Sequence, residues 1–257
     1  MEMSQESQQG LPRALIVFGS LLAFGMCIAA FILGTQVKGI GSGRQSISVK
    51  GLAEKAVKAD YAEWEIGTSA RGKTFAQALD QLRAIRPKLD AFIAQQGFPA
   101  DSLSAGEEEV RPFYIEQERP DGRIRRIQDG FEAQQEITIR TRDLGKIAAA
   151  NKAALEFKAA GNPVHYSSPS YLISNLEEIK MSLIAAATQN AQTRAQEFLK
   201  NGNARVGAIR SASQGAFYIL RAGDSVDAGD YGGTYDHSSV DKTARVVVTV
   251  EYNIAQR

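Results

Sequence analysis

Residues 15–34 read LIVFGSLLAFGMCIAAFILG, uncharged throughout and about as long as a helix must be to cross a bilayer. A helix satisfies its own backbone donors and acceptors in hydrocarbon, so the run predicts one spanning helix. It exceeds a usual signal-peptide core, and Thr35, Gln36, Val37 and Lys38 follow it in place of an A-x-A site, which favours an uncleaved anchor. Residues 1–14 are then a cytoplasmic tail, and 35–45 a flexible tether around Gly39-Ile40-Gly41-Ser42-Gly43. Residues 46–257 are an exported body. Arg13 precedes the run and Lys38 and Arg44 follow it, so the positive-inside rule gives little direction. A short tail is easier to leave in the cytoplasm than a folded domain, and the body is therefore assigned to the periplasm.

After residue 45 the hydrophobic period shortens to two. Ile47, Val49 and Gly51, then Trp64, Ile66 and Ala70, predict an antiparallel pair of strands. Thr74-Phe75-Ala76-Gln77 has the form of a capping box. Phe75, Leu79, Leu82, Ile85, Leu89, Phe92 and Ile93 follow at helical spacing, with Gly97 and Pro99 as the stop. Pro87 inside this stretch predicts a kink or a break. Residues 107–118 and 123–142 read as long strands joined through Pro120-Asp121-Gly122. Asp143 should cap a helix carrying Leu144, Ile147, Ala148 and Leu155, ended by Gly161-Asn162-Pro163. A strand over 164–173 leads to a second capping box, Ser174-Asn175-Leu176-Glu177. The alanine-rich helix after it should bury Leu176, Ile179, Leu183, Ala187, Asn190 or Ala191, and Phe198. Strands over 204–220 and 244–254 finish the chain; in the last, Ala244, Val246, Val248, Val250, Tyr252 and Ile254 share one face. The fold class is α+β, an antiparallel sheet with long helices packed on it, behind one N-terminal transmembrane helix.

Composition adds limits. Of the 257 residues, those beyond the anchor suffice for a sizeable core. A net charge of +1 leaves no electrostatic footprint for nucleic acid. Cys27, the only cysteine, falls within the apolar run; it reads as an ordinary apolar residue and excludes a disulfide within one chain.

The order of elements resembles the SIMPL-domain family, whose bacterial members are secreted or membrane-anchored periplasmic proteins. The residues that carry the resemblance are Ile47-Ser48-Val49-Lys50-Gly51, Ala59-Asp60, Asp129-Gly130-Phe131-Glu132-Ala133 leading into Ile137-Thr138-Ile139-Arg140-Thr141-Arg142-Asp143-Leu144, and the alanine-rich helix before Arg205-Val206-Gly207. Lys58-Ala59 stands where the family usually has a proline, and Pro87 is unusual for its first helix. The resemblance implies helices packed on antiparallel sheet, ring-like oligomers in some members, and a link to stress tolerance. It supplies no catalytic residues.

Candidate chemistry is sparse. His165 and His237, far apart in sequence, each lack the local carboxylate spacing that marks a metal or triad site. Ser239-Val240-Asp241-Lys242 has the S-x-x-K spacing of serine acyl enzymes but precedes a strand instead of opening a helix. Asp224, Asp227, Asp230 and Asp236, in the glycine-rich linker 222–239, could gather round a hard cation, though without EF-hand spacing. Glu107, Glu108 and Glu109 are expected to pair with Arg123, Arg125 and Arg126 across the hairpin. Phe113, Tyr114, Phe217, Tyr218, Tyr231 and Tyr235 are the better candidates for recognition, set against a plain core role for Phe113 and Phe217. No catalytic, cofactor or metal residue is assigned. The favoured function is a noncatalytic periplasmic module, tethered to the inner membrane, that self-assembles or binds an envelope partner. The alternative is a metal-dependent or hydrolytic enzyme built on linker 222–239.

Overall fold

The computed structural model describes residues 10–42, 45–118, 120, 122–200, 202, 204–225 and 232–256. In chain order these form α1 (Gly10–Ser42), β1 (Ser46–Lys58), β2 (Tyr61–Gly72), α2 (Phe75–Gln95), β3 (Leu103–Ala105), β4 (Glu109–Glu118), β5 (Ile124–Thr141), α3 (Leu144–Ala159), β6 (Val164–Tyr166), β7 (Ser170–Leu172), α4 (Leu176–Leu199), β8 (Ala204–Arg221) and β9 (Asp241–Gln256).

Helix α1 covers the apolar run and continues to Ser42, so most of the expected Gly/Ser tether is helical. Each glycine there costs a helix about 1 kcal/mol against alanine, while propagation still adds one hydrogen bond per residue. Side chains 16–32 are all exposed. Among the described residues no helix is long and apolar enough to cross a membrane, so the expected spanning helix over 15–34 is not found there. The tail 1–9 lies outside the described residues.

The body divides into two compact units. The larger, Leu52–Ala187 with Gly215–Val247, is built on the sheet order β3-β5-β2-β6, with β4 also pairing with β5 and β7 with β2. Strands β2 and β5 run antiparallel, with Trp64 opposite Ile139, Ile66 opposite Ile137 and Ala70 opposite Ala133. Alternation places Ala62, Trp64, Ile66, Thr68 and Ala70 on one face, all buried. On them pack Leu89, Phe92 and Ile93 of α2 and Ile147, Ala150 and Ala154 of α3. The other face is polar, with Glu63 paired to Arg140 at 3.0 Å and Arg71 to Glu132 at 3.1 Å. This one-sided burial is why the strands read as alternating in sequence.

Local signals mostly act as expected. Thr74 caps α2 by accepting from the Gln77 N–H, and Asp143 caps α3 by accepting from Lys146. Other expectations need correction, among them the single strand over 164–173, which is two short strands, β6 and β7. Of the kink or break expected at Pro87, the break does not occur: α2 runs through it, Pro87 is exposed, and the burial of Leu82, Leu89 and Phe92 holds both halves on the sheet. Helix α4 starts at Leu176, so Asn175 and not Ser174 stands at its cap position, and the Ser174 hydroxyl donates to Asp60. Phe75, Leu155 and Phe198 are 53%, 62% and 72% exposed, Ala148 is exposed too, and all four lie off their buried stripes. The glutamates 107–109 do not meet the hairpin arginines. Partners in an antiparallel hairpin are equidistant from its turn, so Glu116 faces Arg126, while Glu108 pairs with Arg83 of α2 at 2.7 Å.

The smaller unit, Met1–Gly51 with Thr188–Gln214 and Val248–Arg257, includes parts of β1, β9 and β8, which neighbour one another in that order. Glu251 of β9 accepts from Ser46 of β1 at 2.5 Å and Ser211 of β8 at 3.1 Å. Those two hydrogen bonds hold its carboxyl below the usual range.

Candidate functional site

Two places in the larger unit gather the residues singled out above. The first is the segment 234–241, drawn as a strap between strands. Ile219 of β8 donates to the Thr234 carbonyl at 2.7 Å, and the Asp236 N–H returns a bond of 2.7 Å to Ile219. Tyr171 of β7 donates to the His237 carbonyl at 2.8 Å, and Ala59 donates to Val240 at 2.9 Å. The Tyr235 hydroxyl accepts the Ile173 N–H at 2.9 Å. A segment with little regular structure of its own thus satisfies backbone groups of several elements at once.

Asp236 is the knot of this strap. Its carboxylate accepts from the N–H groups of Ser238 and Ser239 at 3.0 and 3.2 Å and from both serine hydroxyls. The Lys242 ammonium reaches it at 3.1 Å and also donates to the Asp236 carbonyl. The Lys242 side chain is 0% exposed and that of Asp236 is 16% exposed. Burial pushes the Asp236 carboxyl up, but the serine bonds and then the ammonium outweigh it and hold the group well below the usual carboxylate range.

The chemistry of this cluster is self-contained. Ser239 and Lys242, the S-x-x-K pair, are both turned onto Asp236, and Lys242 stands at the start of strand β9. His237 is exposed with its ring 4.7 Å from that of Tyr235. His165 sits on β6, 3.6 Å from Glu136. Asp224 is exposed, and Asp227, Asp230 and Tyr231 lie outside the described residues. Among the described residues no three His, Cys, Asp or Glu side chains could hold a metal ion. The structure therefore brings Asp236 to Ser239 and Lys242, and does not join the histidines to the aspartates.

The sequence carried a signal for this cluster. Lys242 has the parity of Ala244, Val246 and Val248, the buried face of β9. A lysine on such a face needs an acceptor, and Asp236-His237-Ser238-Ser239 offers a carboxylate followed by turn-forming serines.

The second place is the ribbon formed by β4 and β5. The register shifts between Phe113 and Tyr114, so that Phe113 faces Gly130 but Tyr114 faces Gln128. Gly130 has φ +121°, and a Cβ there would lie 2.3 Å from the Gly72 carbonyl oxygen. Only glycine fits that bulge. Beyond it, 114–118 pairs with 124–128 alone among the described residues. Tyr114 and Ile124 are 44% and 70% exposed on one face; Ile115 is 41% exposed on the other, opposite Ile127. Arg126 lies over the Tyr114 ring at 5.0 Å. Phe113, at the root, is half-buried under Arg71 at 3.7 Å, whereas Tyr218 is buried and Phe217 half-buried in β8. Of the aromatic candidates among the described residues, Tyr114 presents the most open surface.

A family model described as SIMPL, protein of unknown function (DUF541), matches residues 47–252. The chain belongs to the SIMPL family. No curated protein matches it. Both places described above fall inside the SIMPL domain, and α1 precedes it.

Proposed function

We propose that this SIMPL protein is a noncatalytic, membrane-tethered module of the periplasm that assembles with further copies of itself through the β4 edge. The carrying observation is the ribbon. A two-stranded hairpin is marginal in water, yet this one exposes apolar side chains on both faces beyond its bulge. Strand β4 also has a free outer edge among the described residues, and Pro112, which has no N–H to donate, suits such an edge. A second β4 laid antiparallel would cover Ile115 and supply the missing ladder.

The tether is part of the same reading. Its support is the uncharged run 15–34 of the sequence, about the length a single-pass anchor needs, together with the exposure of side chains 16–32 on α1. The Asp236 cluster supports a noncatalytic role, because its hydrogen bonds end on one another. The resemblance noted above extends the proposal to stress tolerance, with the envelope as the place of action.

The test is crosslinking of the full chain. In a Cys27→Ser background, single cysteines from Phe113 to Gln117 should give a disulfide-linked dimer at the position where two strands cross. Lys88→Cys, exposed on α2, should not. A monomeric mass at every concentration, with no position crosslinking, would refute assembly through this edge.

A further inference from the structure

Within the smaller unit, α4 ends beside β1 and leaves a groove of about 740 Å³ lined by Ser48, Val49, Lys50, Arg194, Glu197 and Phe198. A second hollow of about 380 Å³ shares Glu197 and adds Lys200 and Arg205. Phe198, on the first of the two, is 72% exposed. The Arg194 guanidinium donates to the Lys50 carbonyl at 3.0 Å, occupying an acceptor of β1. Glu197 is paired with Lys200 at 3.4 Å. The face thus carries four cations, one anion and one projecting aromatic ring.

This face is close to α1 along the chain. The helix extends from the end of the apolar run to Ser42, about 12 Å of rise. Residues 43–47 then separate Ser42 from Ser48, a reach of at most roughly 20 Å. If α1 crosses a bilayer, the groove is held near its headgroups.

We infer that the Phe198 face docks on an anionic bilayer surface, with Lys50, Arg194, Lys200 and Arg205 against the headgroups and the ring between them. An exposed aromatic among lysines and arginines is the chemistry of an interfacial contact. Its charge fits anionic lipid, although the whole chain is close to neutral. The inference rests on the anchor proposed above and goes beyond it, since an anchor alone leaves the body free to stand off the membrane.

The experiment uses the full chain with Phe198→Trp in vesicles whose acyl chains are brominated. The native Trp64 is 1% exposed in the core and serves as the unquenched reference. In equimolar phosphatidylglycerol and phosphatidylcholine, the introduced indole should be quenched and blue-shifted. The effect should vanish in phosphatidylcholine alone and at high salt. Lys50→Glu with Arg205→Glu should lower the docked population about tenfold or more, because each cation near such a surface is worth severalfold in binding. Absence of quenching, or equal quenching in both lipids, overturns the inference. So does a blue shift that follows protein concentration, which would mean that a second copy covers the ring. Flotation with the vesicles after alkaline washing reports the anchor separately: chains that float while the introduced indole stays unquenched refute the docking face and leave the anchor standing.

Discussion

At the scale of single residues, Asp236 and Gly130 carry the sharpest consequences. Asp236 has a native pKa below that of the unfolded chain, so between the two values the unfolded state binds more protons and stability rises with pH. Its contribution is complete above about pH 5 and is lost as the pH falls from about 4 toward the depressed native value. Denaturant titrations from pH 7 to pH 3 should show this acid limb, and Asp236→Asn should flatten it. The same variant strands the Lys242 ammonium and should cost about 3 kcal/mol at neutral pH, the low end for a broken buried pair because Asp236 keeps some contact with water. Lys242→Met, which removes the buried charge, should recover part of the loss in the Asp236→Asn background. Gly130→Ala combines a strained φ with a clash against backbone. It should destabilise by about 2 kcal/mol or more, read as a lowered thermal midpoint.

Among the elements, α2 tests the rule that proline breaks helices. Pro87 removes one hydrogen bond and crowds the preceding turn, but the helix remains continuous over Phe75–Gln95. Since Pro87 is exposed, Pro87→Ala should stabilise by up to about 3 kcal/mol with no loss of packing. An unchanged or lower denaturation midpoint would show that the helix depends on the proline's geometry. Thr74→Ala, which removes the cap on Gln77, should instead cost about 1 kcal/mol. These signals were legible because capping and periodicity are local. Register was not. The glutamates 107–109 looked like partners for the arginines 123–126, but the turn position sets Glu116 against Arg126 and, past the extra residue at Asp129, Glu109 falls opposite Gln134.

For the molecule as a whole, the prediction concerns association. Ile115→Asp places a charge on the ribbon without touching the core, since Ile115 is 41% exposed. It should leave the unfolding free energy within about 0.5 kcal/mol of the native value in a dilute sample and abolish the crosslinked dimer. A dimer that survives this change would assign assembly to another surface.

What the sequence determined by itself was whatever depends on near neighbours: the uncharged run before the body, the helix starts at Thr74 and Asp143, the alternating strands 60–70 and 244–254, and with them the α+β class. Those follow from periods of 3.6 and 2 and from caps a few residues long. The tertiary structure alone decided which distant residues share a surface. It turned Phe198 outward to border a groove with Lys50, sent the Ser174 hydroxyl to Asp60, and gathered Ser238, Ser239 and Lys242 on Asp236 within a strap held by β7 and β8. Each choice was settled by burial and hydrogen-bond satisfaction across the fold, which no local pattern encodes.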